Sequence, residues 1–231
     1  MSKVELNEVY EALADKFITY KDMSGRPVKD DGSKLVPIGE EFTGKIHILE
    51  DYRLYTGDHV FVREALIPML VKAQAEVKAI HPDYDLEIYC GYRSLDIQKS
   101  NFERITKLEL EADPTLEGDK LKERAHRFSA APDVAGHPTG GAVDVQIVTP
   151  EGPIDFGTPI HSYAKDTYTL SPFISKEAWH NRQLLRACML KVGFAPLDSE
   201  WWHFSYGDRE WAAYFNKPHA LFTQLPVPNI E

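Results

Sequence analysis

The sequence predicts one α+β domain, on three observations. Some stretches repeat apolar residues at helical spacing, others alternate them as strands do, and no linker, repeat or low-complexity segment divides the 231 residues. The predicted domain spans residues 1–231, with 1–50 set apart as an N-terminal extension. In that extension the turn signals Ser24-Gly25-Arg26-Pro27 and Asp30-Asp31-Gly32 read as short elements and loops. From His59 to Ile80, Val62, Leu66, Leu70 and Val77 recur as on an amphipathic helix, and Pro68 either kinks it or marks its true start. Asp85 to Cys90 alternates as a half-buried strand and Gly91 closes it. Ser94 caps a helix through Leu110 that ends before Asp113-Pro114, and a charged helical stretch covers Gly118 to Phe128. The prolines and glycines of Ser129 to Gly141 predict a loop feeding a strand over Ala142 to Val148. A loop-rich segment then reaches Ser175, which caps a helix through Val192, with Gly193 as its C-terminal glycine. Trp201 to Tyr206 is the closing strand.

Composition narrows the function. Hydrophobic content of 43% with 11% aromatics belongs to a folded globular chain. A net charge of −10, from 26 basic and 36 acidic residues, argues against a nucleic-acid partner and an anionic membrane surface. Cys90 and Cys188, each in an apolar stretch, are expected as buried free thiols. The segment Met1 to Tyr10 has no long apolar core and carries early acids, unlike a secretory signal, and no run approaches the roughly 18 apolar residues of a membrane span. A cytoplasmic location is the resulting expectation.

Two fragments carry the chemistry: His137-Pro-Thr-Gly-Gly-Ala-Val-Asp144 and Glu200-Trp-Trp-His203. Together they offer two imidazoles, one carboxylate ligand and one spare carboxylate. A hydrolytic zinc site needs three protein ligands, an open fourth position and a separate base. On a strand Asp144 shares a face with Ala142, leaving Val143 and Val145 for the core. Glu200 and His203 are three apart and would face opposite sides of a regular strand. Both reach one ion only if the chain bends at Glu200, and Pro196, Asp198 and Ser199 supply turn chemistry just before it. The competing reading is a loop histidine beside a turn aspartate, with Trp201, Trp202 and Phe204 as core and His203 an incidental neighbour.

The order of these residues resembles the zinc D-Ala-D-Ala dipeptidases linked to vancomycin resistance. The pattern is His137, Gly140, Ala142 and Asp144, followed by Glu200-Trp-Trp-His203. Gly91-Tyr92-Arg93, Phe156-Gly157-Thr158-Pro159, and Asn181-Arg182 to Arg186 with Gly193-Phe194 extend the similarity across residues 50–210. The resemblance implies a small antiparallel sheet with helices packed on it and one zinc ion at its open face. His137, Asp144 and His203 would be the zinc ligands and Glu200 the general base. Arg93 would stabilise the negative charge that develops on the substrate. The substrate it implies is a short peptide with D-amino acids, from cell-wall synthesis or turnover.

Two departures bear on specificity. Ala135 stands where the family has a serine, and His161 where it has an acid that helps hold the free amino terminus of the dipeptide. Neither replaces a hydroxyl and a carboxylate as acceptors for an ammonium. His161 and Asp155 are therefore taken as substrate-binding positions, with Asp155 or Asp133 as substitute acids. Two alternatives follow: a carboxypeptidase or dipeptidase of the same chemistry with another substrate, and a zinc-binding module without turnover. Glu200 separates them, since a binding module has no use for a base there.

Overall fold

The computed structural model describes residues 3–228, so the first two positions of the N-terminal segment lie outside the described residues. Helix α1 (Lys3–Ala14) is followed by α2 (Tyr20–Ser24), whose N-cap Thr19 forms a reciprocal capping box with Asp22. Strands β1 (Leu35–Pro37) and β2 (Lys45–Ile46) and the single turn α3 (Arg53–Thr56) complete the region that the sequence reads only as short elements and loops. That region is tied down. Glu11 on α1 pairs with Arg127 at 2.8 Å and Lys165 at 2.9 Å, and the Tyr10 ring meets Tyr168 and Phe173 edge-on.

The helix expected over His59 to Ile80 divides in two. Phe61–Arg63 is strand β3, paired antiparallel with β1, and helix α4 occupies only Ile67–Ile80. Pro68 lies in its first turn, where a missing N–H costs nothing, so it marks the start of the helix and not a kink. Strand β4 (Asp85–Cys90) matches its alternation. Ser94 caps α5 (Leu95–Ala112) by accepting the Ile97 N–H at 3.3 Å, and the helix runs to the edge of Asp113-Pro114. Next come α6 (Gly118–His126), strand β5 (Ala142–Thr149) and the short β6 (Gly152–Pro153). Ser175 caps α7 (Lys176–Lys191) and Gly193 follows it at φ 104°. Strand β7 (Ala195–Pro196), β8 (His203–Ser205) and α8 (Arg209–Tyr214) end the chain's regular structure. The closing strand is shorter than expected because Trp201 and Trp202 belong to the turn before it.

The main sheet has six strands in the order β2-β4-β5-β8-β7, with β6 on the far end of β5. It is not wholly antiparallel: β2 joins β4 in parallel, while β4, β5, β8 and β7 pair antiparallel. One face is the core. Val143, Val145 and Ile147 of β5 pack with Leu70, Ala73 and Val77 of α4 and Leu185 and Met189 of α7, all fully buried. Burying a side chain of that size contributes about 1.5–3 kcal/mol, so this face holds the sheet in place. The opposite face carries Ala142, Asp144 and Gln146, by the two-residue period. Register then sets a row across three strands: Cys90 lies opposite Asp144, and Asp144 opposite His203. Both cysteines are free and buried, and no described helix is long and apolar enough to cross a membrane.

Candidate metal centre and active site

His137 comes from the loop predicted between residues 129 and 141. A 3-10 turn over His137–Thr139 positions it, and two polar contacts lock the turn: Thr139 Oγ1 donates to the Gly136 carbonyl at 2.6 Å and accepts the Gly141 N–H at 3.0 Å. Buried Arg63 holds the same turn from outside, its Nε donating to the Thr139 carbonyl at 2.7 Å. Gly140 sits at φ 74°, and a Cβ there would lie 2.6 Å from Leu35 Cδ1, so only glycine closes this turn. The His137 ring is oriented by its Nδ1–H, which donates to the Gly91 carbonyl at 2.7 Å. That leaves Nε2 facing Asp144 Oδ2 at 3.3 Å.

Asp144 is the hub. Its carboxylate also meets His203 Nδ1 at 3.1 Å, His161 Nε2 at 2.8 Å and Arg93 Nη2 at 3.5 Å. Burial alone would raise its pKa, but the three imidazoles around it hold the carboxyl well below the usual range. Burial pushes the His137 imidazole down to about 4, whereas His203, despite burial, is held near about 10 by Glu210 and Asp144.

Glu200 reaches the same place through the bend that the sequence requires. Its N–H bonds the Leu197 carbonyl and its own carbonyl accepts the His203 N–H, both at 3.1 Å, so consecutive tight turns bring positions 200 and 203 to one side. The two tryptophans between them part ways. Trp201 stacks on Phe156 at 4.1 Å and donates to Thr158 Oγ1, anchoring the turn in the core. Trp202 Nε1 donates to Glu200 Oε2 at 3.1 Å and aims the carboxylate. Glu200 keeps one edge open to the cleft, yet the protein around it pushes the carboxyl up to about 7.

These groups line a cleft of about 350 Å³, walled by Ile97, Gln98 and Asn101 of α5 and by Tyr52 and Tyr55. Arg93 enters from the end of β4. It donates to Gln98 Oε1 at 3.1 Å, but its Nε has no partner although buried. Two trios of donor atoms lie within 4.8 Å of one another: Cys90, His137 and Asp144, and Asp144, Glu200 and His203. Burial pushes the Cys90 thiol up to about 12, which keeps it neutral and makes it the poorest donor of the set. Two imidazoles and a carboxylate of mixed nitrogen and oxygen character, all buried, suit zinc.

Among the residues singled out from sequence, His137, Asp144, His203, Glu200, Arg93 and His161 converge here. Asp155 does not. Its Oδ1 accepts the Gly157 N–H at 2.7 Å, its Oδ2 accepts from Ser175 at 3.1 Å, and it lines a separate groove on the sheet. Asp133 is likewise taken, by Tyr20 at 2.7 Å and Lys122 at 3.6 Å. His161 binds Asp144 and stands edge-on to Tyr89 and Trp202, at a left-handed backbone angle of 63°. Sequence reasoning missed Glu210, which is buried with Oε2 3.6 Å from His203 Nε2. Locally Asp208-Arg-Glu210 reads as a helix cap followed by a first-turn acid, an arrangement that gives no sign of burial.

The family model for D-Ala-D-Ala dipeptidases, a family of peptidases, matches residues 38–224. The chain is 25% identical over 225 residues to a D-alanyl-D-alanine dipeptidase of Synechocystis sp., covering 84% of this chain and 90% of that protein. A second such dipeptidase, from Escherichia coli, is 34% identical over 71 residues, 30% of this chain and 37% of that one. Among solved structures, the LD-carboxypeptidase LdcB aligns at a TM-score of 0.47 and 20% identity, over 82% of this chain and 74% of its own. The vancomycin-resistance D,D-pentapeptidase VanY, solved with Zn(II), aligns at 0.42 and 19%, over 80% and 90%. With the family pattern running through nearly the whole described fold, the chain belongs to the D-Ala-D-Ala dipeptidase family of peptidases.

Proposed function

We propose that the protein is a zinc-dependent peptidase that hydrolyses a short peptide containing D-amino acids, with D-Ala-D-Ala as its first candidate substrate. The observation that carries this reading is that buried Asp144 meets His137 Nε2 at 3.3 Å on one oxygen and His203 Nδ1 at 3.1 Å on the other, with Glu200 close to Asp144 and His203. His137 Nε2, an Asp144 oxygen and His203 Nδ1 would hold the ion. When bound, zinc lowers the pKa of water and polarises a carbonyl.

The rest of the chemistry falls to the chain. A carboxyl near 7 is partly ionised at neutral pH, so Glu200 can take a proton from the attacking water and return it to the leaving amine. Trp202 holds that carboxylate in one orientation. Arg93 lines the cleft and is fixed by Gln98, so its guanidinium can meet the negative charge growing on the attacked carbonyl oxygen. His137 Nδ1–H, tied to the Gly91 carbonyl, keeps Nε2 as the free nitrogen.

One observation favours a second substrate within the same chemistry. Of the acids lining the cleft, Asp144, Glu200 and Glu210 belong to the centre itself, and Asp51 stands exposed at the rim. With Ala135 apolar, His161 committed to Asp144 and Asp155 elsewhere, the cleft holds, among the described residues, no spare carboxylate beside the centre for a peptide ammonium. A carboxypeptidase acting on a longer peptide, with its amino terminus away from the ion, fits this wall better than a free dipeptide. The test is a panel of D,D-, L,D- and L,L-dipeptides beside N-extended peptides with the zinc-loaded protein. Preference for D-Ala-D-Ala supports the first reading and preference for extended peptides the second. Hydrolysis of none of them overturns both.

A further inference from the structure

Behind the proposed metal ligands lies a buried group that the mechanism does not use. Four polar atoms there lack a hydrogen-bond partner: His203 Nε2, Ser205 Oγ, Asp208 Oδ2 and Glu210 Oε1. Buried polar groups are rarely left unpaired, and each costs about 1–3 kcal/mol if it stays so. Asp208 is accounted for by the backbone. Its Oδ1 accepts the Trp211 N–H at 2.8 Å as the α8 N-cap, and its Oδ2 presses on Gly136, where a Cβ would come within 2.0 Å. Glu210 has no such duty. It is 2% exposed, and its Oε2 stands 3.6 Å from His203 Nε2, just outside hydrogen-bond reach.

We infer that Glu210 is a positioning residue for the metal centre: its carboxylate accepts the Nε2–H of His203 and so presents Nδ1, lone pair forward, to the ion. This rests on the zinc reading above. A neutral imidazole carries one N–H and one lone pair. If Nδ1 gives its lone pair to a cation beside Asp144, the proton must sit on Nε2, and the acceptor facing Nε2 is Glu210. His137 is built the same way in mirror order, with Nδ1–H on the Gly91 carbonyl and Nε2 toward Asp144. The two ligands therefore differ in support. One is held by a neutral carbonyl, the other by a carboxylate, which also raises the basicity of the ring it holds.

The test is zinc affinity by chelator competition for the parent, Glu210→Gln and Glu210→Leu, with Co(II) absorption as the spectroscopic reporter. Leucine fills similar space without an acceptor, so it should bind zinc about 10–100-fold more weakly and alter the Co(II) spectrum. Glutamine keeps an acceptor oxygen and should recover much of that loss. Metal-free melting temperatures identify any variant that fails to fold, and the glutamine variant, nearly isosteric, then carries the comparison with the parent. Leucine binding zinc as tightly as the parent, or glutamine losing as much as leucine, overturns the role of Glu210 alone. A parent protein that takes up no stoichiometric zinc overturns the metal centre itself, and this inference with it.

Discussion

Arg182 is a fully buried guanidinium and Arg93 a largely buried one, and their surroundings could hardly differ more. Arg182 is bonded through all three nitrogens: it donates to the carbonyls of Phe156 at 2.8 Å, Asp166 at 2.7 Å and Tyr168 at 2.8 Å, and to Thr158 Oγ1 at 3.2 Å. Those acceptors belong to the loop that receives Trp201, so Arg182 shapes the framework under the Glu-Trp-Trp-His turn. Arg93 has two neutral side-chain acceptors, Gln98 at 3.1 Å and the Cys90 sulfur at 3.7 Å, an ion pair to Asp144 and a bare Nε. A buried cation whose nitrogens all donate to fixed carbonyls and a hydroxyl can only hold structure. One with a donor to spare at a cleft can serve a ligand. Unpaired polar atoms recur at His203 and Glu210 beside the cleft, and also at Tyr168, Arg186 and Asp198, so hydrogen-bond satisfaction separates these two arginines and not the whole of the two regions.

The contrast breaks if altering the cleft costs stability, or if altering the framework leaves stability intact. The largest expected effect is at the base. Glu200→Ala should retain zinc and its melting temperature while hydrolysis falls about 10²–10⁴-fold, checked by single-substrate kinetics beside metal analysis. Arg182→Met should do the opposite, leaving the Phe156 and Asp166 carbonyls without a donor, while Tyr168 keeps the Ser171 N–H and Thr158 keeps Trp201 Nε1. A loss of roughly 3 kcal/mol or more is expected in urea unfolding, with zinc affinity close to that of the parent if the variant folds. Arg93→Ala should lower kcat about 10²-fold with KM and unfolding little changed, as expected of a group that acts mainly on developing charge.

Acid should separate the regions again. The parent rate should rise with pH through an acid limb at or below about 7, because the ionised form of Glu200 is the base and a nearby cation favours ionisation. Stability should follow a framework group instead. His126, buried and accepting the Ala131 N–H at 3.0 Å, is pushed down to about 4 by burial. A pKa below the unfolded value means that its contribution is complete above about 6.5 and is lost as pH falls toward about 4. The smallest effect is therefore about 2 kcal/mol at pH 5 relative to pH 8, the part of the parent's acid loss that a folded His126→Gln variant lacks. An equal loss in that variant would assign the acid sensitivity elsewhere.

Much of this was legible in residue order. The caps at Ser94 and Ser175, the C-terminal glycine at Gly193, the alternation of β4 and β5 and the placing of Asp144 on the face away from the valine core all follow from local rules, because each depends on neighbours within about one turn or two residues. Position 68 was ambiguous for the same reason. A helix start and a helix kink have one local signature, and β3 pairs with β1, a partner some 25 residues upstream by register. Asp155 misled because an acid near a family motif carries no address. Only the fold shows that it caps a loop beside Ser175.

By itself, the sequence determined the α+β class, the family, and the set of imidazoles and carboxylates able to meet, since these depend on short-range periodicity and on residue types at set spacings. The tertiary structure decided which of them do meet, through the register that lays Cys90, Asp144 and His203 in one row. It also decided which buried groups are satisfied and which are held open, as with Arg182 against Arg93 and with Glu210 behind His203. Satisfaction is a property of partners distant in sequence, and no local pattern encodes it.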